Sequence, residues 1–265
     1  KNIERCINSL LWCDKIIVMW MGKDKTGEIA IKLGAEVIEM NKNPPAGGDF
    51  VGVQKNINWA IDNCKTDWIL RVDADEVVSK ELQNEIEVIL NKSEGSLANA
   101  RNANKLRDSS ALPQNDNIVA YGIPRKHYIW GGFLKGGDWS YDRLIRLFRP
   151  QFARYDPIVH VHEQFRVTGK IGYLKHHLLH YSHPTIGIAL KKFDTYTDVE
   201  VNDMKQSLPK AIFNFFIQPP YVFLRWMIWH HGYRDGLRGI IAASLRAWYE
   251  YLLYSKYLVK KLSKK

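Results

Sequence analysis

The sequence predicts an α/β domain followed by a basic, aromatic helical tail. Three observations support this prediction. In the first third of the chain, short apolar runs suited to buried strands alternate with stretches of helical periodicity. Acidic residues follow directly after one of these runs, at the position where open α/β sheets bind their ligands. The last 61 residues, 205–265, combine cationic side chains with Trp and Tyr.

The alternation of strands and helices is the basis of the fold class. The predicted order is helix 3–10, strand 15–19, helix 28–33, strand 35–38, helix 53–64, strand 68–72 and a helix that follows Ser79. Alternating strands and helices of this kind predict a parallel sheet with helices on both faces.

The middle of the chain has less periodicity. Residues 91–117 are polar and rich in Ser, Asn and Ala, which predicts a long surface loop. Strand-like segments follow at 118–124 and 127–130, and a Gly-rich turn spans residues 131–137.

The composition is that of a globular protein. Of the 265 residues, 46% are hydrophobic and 25% are charged. The three cysteines are widely spaced, which argues against a disulfide framework and against a zinc knuckle. No signal peptide is visible and the first residue is Lys, so we expect the sequence to begin inside a longer chain.

The net charge of +10 is unevenly distributed. Residues 205–265 carry eleven Lys and Arg against two acids, whereas the rest of the chain is close to neutral. A uniformly basic nucleic-acid binder would not show this pattern, so we expect no nucleic-acid partner.

The tail, residues 205–265, is predicted as a membrane-associating segment that follows a main domain of residues 1–204. Its apolar stretches are interrupted by Pro or charged residues, so neither is a good membrane span. The mixture of aromatic and cationic residues suits a helix in the headgroup region of an anionic leaflet. The alternative is a helix pair that packs its aromatic residues on the main domain. The aromatic residues concerned are Trp226, Trp229, Trp248, Tyr249, Tyr251, Tyr254 and Tyr257.

The clearest chemical signal is the acidic segment that follows strand 68–72. Asp73 and Asp75, two positions apart, can offer oxygens to one hard cation such as Mn²⁺ or Mg²⁺. Such a cation neutralises a diphosphate and helps it leave. The alternative is an acidic turn, including Glu76, that caps the next helix.

A second polar cluster lies downstream. Glu163 is a candidate general base for an acceptor hydroxyl, and His180 or His183 is a candidate metal ligand. The same His-rich segment allows a second hypothesis, a metal-dependent hydrolase. The segment lacks the helical His-Glu-x-x-His arrangement, which weighs against this hypothesis.

A third group lies between these two clusters. Gly137, Asp138 and Trp139 combine a tight turn with an aromatic ring, and sugars stack on aromatic rings, so we assign these residues to acceptor binding. Arg146 is assigned to the donor, because Arg pairs with phosphates bidentately. The alternative for the Arg-rich stretch 143–149 is a solvated basic edge strand.

Taken together, these motifs resemble family 2 glycosyltransferases, and especially the branch of lipopolysaccharide core β-glycosyltransferases. The resemblance covers nearly the whole chain. The matching segments are residues 2–6, 9–10, 12–18, 54–56, 67–70, 73–79, 146–149, 161–163, 169–172, 180–181 and 232–236.

The resemblance implies a GT-A fold, in which a mixed sheet is flanked by helices. It also implies a nucleotide-sugar donor, a divalent cation (Mn²⁺ or Mg²⁺) and inversion at the anomeric carbon. In the family pattern the second Asp of the Asp-x-Asp element is the main metal contact, which is Asp75 here. Glu163 corresponds to the base. Asp73 and Lys55, which belong to matching segments, are assigned to the donor.

Two departures from the family pattern concern the nucleotide pocket. We expect the usual first strand to be missing, and residues 19–22 (Met-Trp-Met-Gly) stand where the family has Asp-Ser-Gly-Ser. Trp20 cannot accept a hydrogen bond from a base but can stack on one, and Asp24 is a candidate to supply the missing acceptor. A non-catalytic relative that binds nucleotides or glycans is therefore the alternative function.

The prediction that follows is a metal-dependent, inverting glycosyltransferase. We expect a nucleotide-sugar donor and a lipid-linked or lipopolysaccharide-type acceptor. We also expect the protein to lie on the inner face of the cytoplasmic membrane, in contact with anionic lipid through its tail.

Overall fold

The protein is described by a computed structural model that covers residues 2–20, 22, 24–39, 50–102, 118–155, 165–183 and 185–263. The chain forms two compact units. The first comprises Lys1–Pro124 and Arg143–Leu179, and the second comprises Arg125–Asp142 and His180–Lys265. The predicted division into residues 1–204 and 205–265 places the boundary elsewhere and stays a prediction.

Seven α-helices are found in the described part of the chain. They are α1 (Asn2–Asn8), α2 (Thr26–Lys32), α3 (Phe50–Asn63), α4 (Lys80–Asn102), α5 (Ile186–Asp203), α6 (Leu208–Leu224) and α7 (Leu237–Leu262). None of these helices is long and apolar enough to cross a lipid bilayer.

The strands of the described residues are short, with one exception. They are β1 (Ile17–Trp20), β2 (Glu36–Glu39), β3 (Ile69–Leu70), β4 (Glu76–Val78), β5 (Ile118–Ile129), β6 (Gly132–Phe133), β7 (Arg143–Phe148), β8 (Ala153–Tyr155), β9 (Phe165–Val167), β10 (Lys170–Tyr173) and β11 (Leu178–His183). The long strand β5 joins the two predicted segments at 118–124 and 127–130. It continues through Pro124, which lies opposite Arg143 of β7.

The sheet differs from the parallel sheet that the alternation predicted. β1 and β2 are parallel, but they form a two-stranded sheet of their own. A larger mixed sheet has the strand order β3-β7-β5-β11-β4, with β10 and β6 also paired to β5. In it, β3 runs antiparallel to β7. The parallel sheet that the alternation predicted is found only for β1 and β2, whereas β3 pairs with a strand more than seventy positions away, whose direction no local pattern reveals.

The core of the first unit supports the acidic segment after β3. Buried side chains from α1, α4, β4 and β7 pack together there. Leu82 and Ile86 are fully buried at helical spacing, which fixes α4 against the sheet. The main members of this core are Cys6, Leu10, Val78, Leu82, Ile86, Ile123, Leu147, Leu174 and Leu178.

The prediction of a loop over residues 91–117 was wrong for its first part. α4 continues to Asn102, and residues 103–117 lie outside the described residues. The segment 91–102 contains Leu, Ala, Lys, Glu and Arg, which are good helix formers, so a helix already anchored at Leu82 and Ile86 propagates through it.

The second unit is mostly helical. α6 packs along α7, and α5 also packs on α7. A π-helix, Arg225–Trp229, continues α6. Trp226 is completely buried among Ile129, Leu134, Ala242 and Ala243. Tyr254 and Tyr257 are buried as well, so for these three aromatic residues the packing alternative holds.

Candidate functional site

The acidic segment after β3 forms a tight, internally bonded turn. The backbone N–H of Glu76 donates to the carbonyl of Asp73 over 2.8 Å. In return the Glu76 carboxylate accepts the N–H of Asp73 over 3.0 Å. Glu76 is fully buried at the start of β4, so the turn is closed from inside by an acidic side chain. This carboxylate turn, residues 73–76, therefore has a defined shape.

Arg146 reaches the carboxylate turn from β7. Its backbone carbonyl accepts the N–H of Arg71 over 2.7 Å, which continues the pairing of β3 with β7. Its guanidinium contacts Asp73 with both terminal nitrogens, at 2.5 and 3.4 Å, and contacts Glu76 at 3.2 Å. The Arg146 side chain is only 2% exposed. Because both partners are carboxylates, this buried cation offsets the negative charge of the turn.

Two further residues complete the surroundings of Asp73. Arg71 contacts the Asp73 carboxylate at 3.3 Å, and its guanidinium lies over the ring of Tyr155. The Cys6 thiol donates to the Asp73 carbonyl over 3.6 Å. Burial, and after it the charges of Glu76, Asp73 and Asp75, raise the pKa of the Cys6 thiol to about 12. The Cys6 thiol therefore lies close enough to all three carboxylates to interact with their negative charge.

The donor groups of this turn suit a hard cation. Its acidic side chains, Asp73, Asp75 and Glu76, offer carboxylate oxygens, and Asp75 is half-buried. Within the residues that the structure describes, no three His, Cys, Asp or Glu side chains form a ready-made metal cluster. Mg²⁺ commonly binds through one or two carboxylates plus substrate phosphates, and this arrangement fits one carboxylate from Asp75 together with a diphosphate.

The three residues assigned to the acceptor lie in the second unit and make internal contacts. Gly137 has a φ of 87°, and a Cβ there would lie 2.2 Å from the ring of Trp226. The Asp138 carboxylate accepts from Arg225 and contacts Nδ1 of His230 at 2.5 Å. The Trp139 ring meets Trp226 edge-on at 4.8 Å. These contacts hold the loop in place, and the predicted role in acceptor binding stays a prediction.

His180 contacts another histidine. Its Nδ1 lies 3.2 Å from Nδ1 of His127, and Nε2 of His127 lies 3.6 Å from the carboxylate of Asp142. Burial lowers the pKa of His127 to about 4, and the nearby Asp142 carboxylate opposes this effect. Asp142 also pairs with Arg125. The role of His180 as a metal ligand stays a prediction.

Asp24 and Trp20 are bonded to each other. The indole N–H of Trp20 donates to the Asp24 carboxylate over 3.1 Å, and so does the backbone N–H of Thr26, the first residue of α2. These hydrogen bonds lower the pKa of Asp24, and the bond from Trp20 has the largest effect. The Asp24 carboxylate therefore already accepts two hydrogen bonds within its own segment, and its role in donor binding stays a prediction.

Comparison with known proteins identifies the class of this molecule. Residues 1–128 match Glycosyl transferase family 2. The chain is 25% identical over 260 residues to the lipopolysaccharide core biosynthesis glycosyltransferase LpsC of Rhizobium meliloti, covering 96% of this chain and 86% of that protein. The chain is a glycosyltransferase, and its residues 1–128 belong to family 2.

Rickettsial proteins show the same relationship. An uncharacterized glycosyltransferase of Rickettsia bellii is 30% identical over 214 residues, which cover 77% of this chain and 63% of the relative. Another from Rickettsia typhi is 28% identical over 268 residues, covering 96% and 82%. The predicted family, α/β fold class and enzyme class are confirmed. The mixed sheet flanked by helices, with a C-terminal helix, is the GT-A type of architecture.

The roles of individual residues in this glycosyltransferase stay predictions. Glu163 lies outside the described residues, as does the side chain of Lys55. Sequence reasoning gave no role to Arg71 or Cys6, both of which contact Asp73. For Arg71 a signal was available, because it is the charged residue within the apolar run 68–72.

Proposed function

We propose that this glycosyltransferase moves a sugar from a nucleotide-sugar donor to a lipid-linked or lipopolysaccharide-type acceptor, with inversion and with the help of a divalent cation. The observation that carries this proposal is the rigid carboxylate turn, bound on its inner side by the buried Arg146. The relative LpsC, which is described by its name as a lipopolysaccharide core enzyme, supports the choice of acceptor.

Asp75 is the residue proposed to hold the cation, together with oxygens of the donor diphosphate. A bound Mn²⁺ or Mg²⁺ supplies charge neutralisation for the departing diphosphate. Asp73 has a different part in this proposal, because Arg146 and Arg71 already contact its carboxylate. We assign Asp73 to the donor, held in a fixed orientation by these two guanidinium groups.

The chemical step proposed is a single displacement. The acceptor hydroxyl oxygen forms a bond to the anomeric carbon from one face while the bond to the diphosphate oxygen breaks on the opposite face. The hydroxyl proton passes to the carboxylate of Glu163, which acts as general base. A single inverting displacement needs no covalent intermediate with the enzyme, so one base suffices.

The second unit is proposed to bring the enzyme to an anionic membrane surface, on the inner face of the cytoplasmic membrane. Residues 205–265 have a large excess of cations, and several of their aromatic side chains are exposed, including Trp229, Trp248 and Tyr251. Exposed Trp and Tyr beside cationic residues suit the headgroup region of anionic lipid. A lipid-linked acceptor would be presented at such a surface.

A thermal-shift experiment tests the donor half of this proposal. UDP, GDP, dTDP and CMP are each added with and without Mn²⁺ to the wild-type protein, to Asp75→Asn and to Asp67→Asn. Asp67 is exposed and lies outside the carboxylate turn, so Asp67→Asn is the matched control. A ligand that binds only the folded state raises the melting temperature.

We expect one nucleotide to stabilise the wild type and Asp67→Asn in a Mn²⁺-dependent way, and to lose this effect in Asp75→Asn. A lack of any nucleotide effect on the wild type would overturn donor binding. A nucleotide effect without transfer to any acceptor would favour the non-catalytic alternative, for which the hydrogen bond between Trp20 and Asp24 at the altered motif is the supporting observation.

A further inference from the structure

The helix α6 is largely apolar. Its polar side chains other than Tyr221 are Lys210, Asn214 and Gln218, which recur every four residues and so lie along one side of the helix. One face packs along α7 and is buried through Ala211 and Val222, and Asn214 is buried as well. An apolar helix face is expected to be covered. In α6 the face opposite α7 is nevertheless exposed.

This exposed face is a continuous apolar stripe. Its side chains recur at helical spacing along α6 and into the π-helix, and they are 46% to 66% exposed. We name these residues the α6 stripe: Phe213, Phe216, Ile217, Tyr221, Leu224 and Ile228.

The first unit shows a different pattern among its described residues. There the large exposed hydrophobic side chains come from separate parts of the chain, namely Leu11, Ile31, Trp59, Val88 and Tyr173. Scattered residues of this kind are ordinary on protein surfaces, whereas a continuous apolar patch marks an interaction site.

The charges around the α6 stripe indicate what covers it. The sequence from 205 to 234 contains no Asp or Glu, while Lys205 and Lys210 are exposed at one end of α6 and Arg234 is exposed beyond the other. Trp229 and Tyr233, also exposed, lie next to the stripe in sequence. An apolar stripe with cations at both ends and aromatic residues beside it matches the interface of an anionic bilayer.

A second copy of the chain fits this surface less well. If two α6 helices paired in parallel, Lys210 would meet its own equivalent. If they paired antiparallel, Lys210 would approach the end that carries Arg234. Both arrangements bring like charges together with no acidic residue in the segment to offset them.

The lysines at the end of α7 are less suited to lipid than their sequence suggests. The ammonium group of Lys256 contacts the carboxylates of Asp194 and Asp198 on α5, at 2.6 and 2.7 Å. Lys260 contacts the side chain of Asn202 at 2.6 Å. These contacts engage Lys256 and Lys260 within the unit, whereas Lys205, Lys210 and Arg234 are exposed beside the α6 stripe.

We propose that α6 and the π-helix lie in the plane of the membrane interface, with the α6 stripe inserted among the acyl chains and Lys205, Lys210 and Arg234 at anionic headgroups. This inference deepens the proposed function by naming the surface that contacts lipid, and it rests on that function for the presence of a lipid-linked acceptor. The predicted membrane contact of the whole tail, residues 205–265, is thereby narrowed to the face of α6 that carries the α6 stripe.

Vesicle co-sedimentation of the full chain tests this proposal. The vesicles contain phosphatidylcholine alone or phosphatidylcholine with phosphatidylglycerol. The stripe variant carries Phe213→Ser, Phe216→Ser and Leu224→Ser together. The matched control carries Leu11→Ser, Ile31→Ser and Val88→Ser, which remove three exposed hydrophobic side chains from the first unit.

We expect the wild type and the control to bind the mixed vesicles, and the stripe variant to bind on the order of a hundredfold more weakly, because three partly buried apolar groups are lost from the lipid phase. The variant Lys205→Glu with Lys210→Glu is expected to lose about tenfold or more, and only with vesicles that contain phosphatidylglycerol. Unchanged melting temperatures show that the variants are folded.

Two outcomes would overturn the proposal: no vesicle binding by the wild type, or equal binding by the stripe variant. If the wild type does not bind vesicles but forms a dimer in light scattering that the stripe variant abolishes, the stripe is a dimer interface instead. The nucleotide and Mn²⁺ thermal shift is measured on the same proteins. If that shift is retained while vesicle binding is absent, only this inference fails. If vesicle binding occurs without any nucleotide effect, the proposed transferase function fails and the lipid surface stands.

Discussion

Two aspartates, one in each unit, were assigned to ligand binding from the sequence. Each pairs with an arginine, but the aspartate is the more exposed partner in one pair and the more buried partner in the other. In the first unit, Asp73 is 38% exposed and its partner Arg146 is 2% exposed. In the second unit, Asp138 is 14% exposed and its partner Arg225 is 32% exposed. The first pair turns its carboxylate towards solvent, and the second turns its carboxylate inward.

This difference in burial indicates two different roles for an Asp–Arg ion pair. A buried guanidinium under a partly exposed carboxylate fixes the orientation of that carboxylate and leaves part of it accessible to a ligand. The Asp138 carboxylate, which also contacts His230, is only 14% exposed and is mostly enclosed by the fold. The pair Asp73–Arg146 is therefore suited to positioning a binding group, whereas Asp138–Arg225 is suited to fixing a loop.

The largest expected effect comes from breaking the first pair. Arg146→Ala leaves the buried Glu76 and part of Asp73 without this cation, and we expect it to lower the free energy of unfolding by about 3–5 kcal/mol. Arg225→Ala removes a more exposed cation and should cost about 1 kcal/mol. Urea unfolding of both variants measures the difference. Equal losses would contradict the inverse burial of the two pairs.

An intermediate effect is expected at the loop that Asp138 holds. Gly137→Ala places a Cβ 2.2 Å from the Trp226 ring, at a φ of 87° that favours glycine. We expect a loss of about 3 kcal/mol in the free energy of unfolding. Gly187→Ala is the control, because a Cβ there meets nothing within 4 Å. If Gly137→Ala unfolds like the wild type but loses acceptor transfer, the residue serves the acceptor and not the loop.

The smallest expected effect is an acid sensitivity of the second unit. The pKa of His127 is lowered to about 4, mainly by burial, so the unfolded chain takes up the proton first. The stability that the neutral imidazole contributes is complete above the unfolded pKa of about 6.5 and is lost as the pH falls towards 4, with about 2 kcal/mol already lost at about pH 5. The pKa of Asp142 is lowered to about 2. The stability that the ionised Asp142 carboxylate contributes is therefore lost only below about pH 4.

Urea unfolding of the wild type and of His127→Gln, at several values between about pH 7 and about pH 4, measures this effect. The variant has no imidazole to protonate at this position, so its stability should fall less steeply with acid. Parallel curves for the two proteins would show that His127 is not the responsible group.

The sequence predicted the position of the carboxylate turn but not its partners. The run 68–72 contains the strand β3, and Asp73 follows that strand as expected. Local patterns report apolar runs and turn residues, and for this reason they found the strand and the acids. The contact with Arg146 joins residues that are 73 positions apart, and only the pairing of β3 with β7 brings it about.

The aromatic residues of the tail show a second limit. Trp226 and Trp229 lie three positions apart with cationic neighbours, yet the first is fully buried and the second is 62% exposed. Because apolar residues dominate this helix and its few polar residues include the buried Asn214, its sequence pattern does not tell which face packs on α7. Burial in such a helix is decided by the neighbouring elements, and the structure is needed to assign it.

The burial of Cys6 and the partial burial of Cys13 and Cys64 have a practical consequence for labelling chemistry. Burial is the main cause that raises the pKa of Cys6 to about 12, that of Cys13 to about 11, and that of Cys64 above its usual value. The thiolate is the reactive form, so we expect each of them to react with maleimides more slowly than a fully exposed cysteine with an ordinary pKa. A single exposed cysteine added to the surface would react first, and fluorescent or spin probes can be attached there without replacing the native thiols.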